Sequence, residues 1–179
     1  MSPTQIEFKR QISKHLQELC RQRGLLKGNL LQSDDFDQVW RRLAPEFLAD
    51  AVKEFNAYPE VVLAWGAYFG AAVAFCWDKD WQEYAGKGYE FYRGEGGFDY
   101  MDEHITADIL GFPLGGESAR SLADTFRILA GSAYSYLLHS GIEAGSVDAY
   151  QSVISAVEAM FVIGASVELD LLGYKWSKA

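Results

Sequence analysis

Apolar residues recur along most of this chain at three- and four-residue intervals, the spacing of one face of an α-helix. Phe8, Ile12, Leu16 and Leu19 form such a stripe and predict a first helix over 4–23, stopped by Gly24. Ser33 stands as an N-cap ahead of Asp34, Asp35 and Asp37, where the helix dipole favours negative charge. Phe36, Val39, Trp40 and Leu43 line the helix that follows. Pro45 suits the first turn of a new helix, so a separate third helix is expected over Phe47, Leu48, Ala51, Val52 and Phe55.

The pattern then changes. Residues 61–77 carry no charge, and the helix predicted over 60–77 is apolar all round, which marks it as central and buried. Its bulk lies on Trp65, Tyr68, Phe69, Phe75 and Cys76. Gly66, Gly70 and Ala74, with Ala67 and Ala71, make an opposing stripe of small residues. Small residues four apart let another backbone approach closely, either within the chain or in a second copy. Seventeen uncharged residues reach roughly 25 Å as a helix, short of the ~30 Å hydrocarbon core, so no membrane span is expected.

Residues 78–117 break the periodicity with eight glycines. A short helix is expected over 80–84. Another is expected over 100–110, with Asp99 as its N-cap and Gly111 as its stop. Periodic segments resume over 118–140 and 146–172, the last with a polar stripe of Asp148, Ser152, Ser155, Ser166 and Asp170. No stretch alternates with period two between hairpin turns. The fold class is therefore all-α: one domain over 1–179, a bundle of about six helices around the central apolar helix 60–77, with an irregular acidic and aromatic connection over 78–117.

Composition adds little until charge is placed on this map. The net charge is −9, and an acidic surface repels phosphate backbones, so no nucleic-acid partner is expected. Segment 78–117 holds ten acidic and three basic side chains, hence −7 of that −9, beside a dense set of aromatics. Carboxylates next to aromatic faces can hold cations or basic partners. Trp81, Tyr84, Tyr92, Asp99, Asp102, Glu103, His104 and Asp108 are the candidate ligand or partner surface. Asp99–Glu103 and His104–Asp108 have i, i+4 spacing and would each share a helix face. That spacing falls short of an Glu-x-x-His pair, a zinc motif or an EF-hand loop, so no metal and no cofactor are expected.

No catalytic motif stands out. No GxSxG occurs, Gly94-Glu95-Gly96-Gly97 lacks the Gly-Lys-Ser/Thr ending of a phosphate loop, and Cys76 sits among apolar neighbours. Two distant cysteines and no signal-peptide core favour reduced thiols and a cytoplasmic address. One residue conflicts with its helix. Stepping 100° per residue places Glu168 on the apolar side near Val157 and Phe161, so it is a candidate buried carboxylate needing a basic or hydroxyl partner. The expected function is a protein-interaction or structural module that binds a partner or itself. The alternative is a small-molecule binder or enzyme with its pocket at 78–117.

Overall fold

Two long apolar helices lie side by side at the centre of the molecule, and everything else wraps them. The computed structural model describes residues 3–175. Its helices are α1 (Pro3–Gln22), α2 (Asp34–Phe55), α3 (Pro59–Tyr84), α4 (Tyr89–Arg93), α5 (Met101–His104), α6 (Glu117–Leu138) and α7 (Val147–Leu171). A 3₁₀ turn, Phe98–Tyr100, precedes α5, and a π-helical turn, Ile105–Ile109, continues it. No strand occurs among the described residues.

The central pair is α3 and α7. Gly66 faces Val157 and Met160, and Gly70 faces Phe161 and Ala165, so the two helices run in the same direction. Gly164 of α7 faces the Ala67 backbone in return. Ala74 is fully buried on the same helix. The small-residue stripe is thus filled by α7 from within the molecule, and that removes it as a free surface for self-association. The reason is steric: without Cβ atoms the two backbones approach to contact, and nothing else fits between them.

α6 runs antiparallel to α3, with Phe126 edge-on to Tyr68 at 4.9 Å and Gly131 close to Glu60. α1 lies along α7, where Gln5 donates to Asp148 and Lys9 pairs with Glu158. Ser152 and Ser166, part of the expected polar stripe of α7, are buried in this seam. Ser152 donates to Gln5, and Ser166 accepts the Leu31 N–H at 3.0 Å while donating to Val162 O. Phe69 is the aromatic hub, with Trp40, Phe47, Tyr89, Tyr92 and Phe161 all around it.

Three boundaries, and the bonding of one cap, differ from the sequence reading. α2 continues through Pro45 without a break. The proline is exposed, while Leu43, Ala44, Phe47 and Ala51 on either side are buried, so one apolar face outweighs one lost main-chain bond. α3 runs to Tyr84 through a kink at Asp80 (φ −168°, ψ 87°), so the short helix at 80–84 is its last turn. Tyr100, and not Asp99, caps α5. Ser33 has the extended backbone of an N-cap but its side chain makes no capping bond, whereas Ser146 accepts the Ala149 N–H at 3.0 Å.

α3 and α7 are both long and apolar enough to cross a membrane by length and composition, with mean hydropathies of 1.5 and 1.7. Their most apolar stretches are 72% and 78% buried by the rest of the fold, as the core helices of a bundle are.

Candidate functional site

The acidic segment is pinned down residue by residue. Arg42 on α2 donates to the carbonyls of Ala85 and Lys87 at 2.8 and 3.0 Å. Trp65 on α3 donates its indole N–H to Phe98 O, and Tyr89 donates to Asp50 at 2.8 Å. His104 completes the set. Its Nδ1 bonds Asp108 at 2.9 Å and its Nε2 bonds Phe91 O at 2.8 Å, and Gly94 passes directly over the ring. Both ring nitrogens therefore face acceptors, and a neutral imidazole could donate to only one of them.

This pinning sorts the candidate surface. Tyr92 is 1% exposed and packs on Phe69 and Phe91, so it belongs to the core and not to a binding face. The residue lies on the apolar side of α4, and its ring fills the space beside the hub. Trp81 and Tyr84 are half-buried, and Lys79 and Lys87 lie over the Tyr84 ring. Asp99 is exposed in the 3₁₀ turn, outside α5, so Asp99 and Glu103 do not share a regular helix face. Asp102 is half-buried, and burial raises its carboxyl above the usual range, partly offset by a backbone N–H.

Glu103, His104 and Asp108 do come together. With Glu90, Glu95 and Tyr100 they line an open cleft of about 610 Å³. No group of three or more His, Cys, Asp or Glu residues is arranged to hold a metal ion among the described residues.

A second cleft of about 560 Å³ opens at the other end of α3, between the end of α2, the end of α6 and the first half of α7. Its floor is Val62 and Val157, both fully buried, and its walls are Leu48, Phe55, Leu137 and Ile142. Twenty described residues line it and none is charged, although charged residues make up 23% of the chain. Around its mouth Val147 is 78% exposed and Leu138 63%, with Val52 and Tyr150 close to half. Exposed apolar side chains clustered beside a groove mark interaction or ligand sites. The pattern reading placed Val52 on a core stripe. It is instead exposed at the end of α2, on the side facing the open cleft. The available signal was the run of apolar residues at helix ends, Leu137, Leu138, Val147 and Tyr150, which a lone stripe does not require.

Glu168 is 3% exposed, and its Oε2 has no hydrogen-bond partner. Burial, and secondarily the nearby Asp78 carboxylate, push its carboxyl up to about 7. The basic or hydroxyl partner expected for it is not found at Oε2. Cys20 and Cys76 are free and buried, and burial pushes their thiols up to about 12 and about 11, so neither is an activated nucleophile.

No family model, no characterised protein and no solved structure matches the chain.

Proposed function

We propose that this protein is an interaction module that receives an uncharged, apolar segment of a protein partner in the cleft between α2, α3, α6 and α7. The observation that carries this reading is the absence of any charge from the twenty described lining residues, in a chain of net charge −9. A charged segment entering such a cleft would lose its hydration without a counter-charge, whereas an apolar one gains from burial. The exposed Val147 and Leu138 extend the contact area beyond the cleft itself. Soluble, cytoplasmic residence goes with this reading, and the reduced, buried cysteines agree with it.

The test places a photo-crosslinking amino acid at Tyr150, on the cleft mouth, and at Arg127, on the exposed face of α6. An adduct of one defined mass formed from Tyr150, absent from Arg127 and lost in Leu138→Asp, supports the reading. Adducts of equal yield from both positions, or none from Tyr150, count against it. Adducts of twice the chain mass identify the partner as a second copy.

A second reading is favoured by the acidic cleft, where Glu90, Glu95, Glu103 and Asp108 surround the aromatic rings of Phe91 and Tyr100. That lining suits a small organic cation. Titration with spermidine at low ionic strength, followed by isothermal calorimetry, should give saturable heat that Glu95→Gln and Glu103→Gln reduce together. Heat unchanged by the two substitutions would remove this reading.

A further inference from the structure

Opposite the apolar cleft, at the far end of α7, the chain turns back on itself. Gly173 takes a left-handed conformation at φ +95°, and Tyr174 folds over α3. Its ring centroid lies 5.6 Å from that of Trp77, and its hydroxyl donates to Asp78 at 2.7 Å. Trp77 in turn donates its indole N–H to Asp35 on α2 at 3.0 Å. One turn before this closure, Glu168 is buried with a bare Oε2.

We infer that residues 172–174 form a proton-operated clasp: they close over Trp77 and Asp78 while Glu168 is neutral, and release α3 when Glu168 is charged.

The groups around the clasp decide its behaviour. Asp78 from α3 carries the charge that reaches Glu168, and its sign is the same. Asp35 from α2 is taken by Trp77. Cys20, at the end of α1, is neutral. In the 23–33 connection the Lys27 N–H lies against Asp170, itself on α7. α6 brings Arg120 to this end, where it donates to Gly115 O, and Glu117 and Asp124 line the same surface groove. Tyr174 is spent on Asp78. None of these hydrogen-bonds Glu168 Oε2.

A neutral carboxyl in this position leaves one polar oxygen unpaired. A carboxylate leaves a buried, uncompensated charge beside a like charge, which costs several times more. Rotating Glu168 into water requires freeing only the last turn of α7 and the three residues after it. Leu172 and Tyr174 are already more than a third exposed, so opening this end of α7 uncovers comparatively little new surface. Burial and Asp78 place the change of charge at about 7, so the clasp responds to ordinary changes around neutrality. The direction is fixed: closed on the acid side, open on the alkaline side. The inference stands apart from the proposed function, since it concerns the opposite end of the molecule.

The experiment is ¹⁹F NMR of the full chain labelled with 5-fluorotryptophan, the Trp77 resonance being assigned with Trp77→Phe. Between pH 5.5 and 8.5 that resonance should move along a single titration curve with a midpoint near 7. In Glu168→Gln the movement should vanish, and in Asp78→Asn the midpoint should fall. A stationary Trp77 resonance in the native chain, or one that titrates identically in Glu168→Gln, overturns the clasp. If Glu168→Gln fails to fold by circular dichroism, ¹³C-carboxyl titration of Glu168 in the native chain decides. A midpoint near the ordinary 4.5 overturns the clasp, and one near 7 that coincides with the Trp77 movement supports it.

Discussion

Gly70 of α3 lies directly against the main-chain carbonyl of Phe161 on α7, with no space between them for a methyl group. The contact is backbone to backbone, so neither partner can give way as a flexible side chain would. Alanine at an open helical position stabilises by about 1 kcal/mol relative to glycine. Gly70→Ala should do the reverse and lose roughly 1–3 kcal/mol, the cost of overpacking. Gly66→Ala should cost less, because a Cβ there meets Val157 O at 3.2 Å and needs only a small shift. Urea melts compare the three proteins. A Gly70→Ala variant as stable as the parent would show that α3 and α7 separate freely, and would undo the account of the small-residue stripe.

The same helix pair predicts an unusual pH dependence of stability. Glu168 has a carboxyl raised by burial from 4.5 to about 7. Its favourable contribution is complete below about 4.5, where both folded and unfolded states hold the proton. It is lost as pH rises through about 7, because the unfolded chain gives up that proton first. The loss has a ceiling of about 3 kcal/mol at pH 8, lowered by any local opening of the α7 end. Glu168→Leu should therefore match or exceed the native stability at pH 8 and show a smaller advantage at pH 5. Urea melts at the two pH values measure this. A native protein that gains on Glu168→Leu from pH 5 to pH 8 would refute it.

Much of this architecture was legible because the relevant energies are local and periodic. The stripes of α1 and α6 follow from 3.6-residue spacing, and the all-round apolarity of 60–77 marked the centre, whereas the polar stripe expected on α7 is buried at Ser152, Ser155 and Ser166. The small stripe at Gly66 and Gly70 announced a close approach, but no pattern within one helix names its partner, and α7 supplies Gly164 from almost a hundred residues away. Tyr92 looked like a surface aromatic because acidic neighbours surround it in sequence. The Phe69 hub that buries it is a tertiary feature. The apolar cleft was illegible for the complementary reason. It lies between the ends of α2 and α6 and the first half of α7, and no pattern within one helix reveals a gap between elements so distant in sequence.

Pro45 illustrates a conflict between local and tertiary preference that can be measured. It sits in the interior of α2 on the solvent side, without an N–H for the main-chain ladder. Proline costs about 3 kcal/mol relative to alanine inside a helix, and it returns about 0.4–1 kcal/mol by stiffening the unfolded chain. Pro45→Ala should therefore stabilise by roughly 2–2.5 kcal/mol without altering the packing of Phe47 or Ala51. A thermal melt at lower temperature than the parent would mean that the curvature imposed by Pro45 is needed to seat α2 on the core.

Gly94 and Gly115 both have positive φ, +83° and +81°, but Gly94 combines it with an extended ψ of 170°, a conformation close to glycine-only, and it lies against a side chain. A Cβ at Gly115 meets nothing within 4 Å, so Gly115→Ala pays only the left-handed conformation, about 1–2 kcal/mol. A Cβ at Gly94 would come within 2.5 Å of His104 Cγ. The ring must then move, and its bonds to Asp108 at 2.9 Å and Phe91 O at 2.8 Å go with it. Gly94→Ala should thus cost more than Gly115→Ala. The excess should shrink in a His104→Ala background, where the space is free and the bonds are already absent, leaving only the backbone cost of the extended ψ at Gly94. That double-mutant cycle isolates the ring. If the two glycine substitutions cost the same in the native background, His104 yields without penalty and does not hold the acidic segment in place.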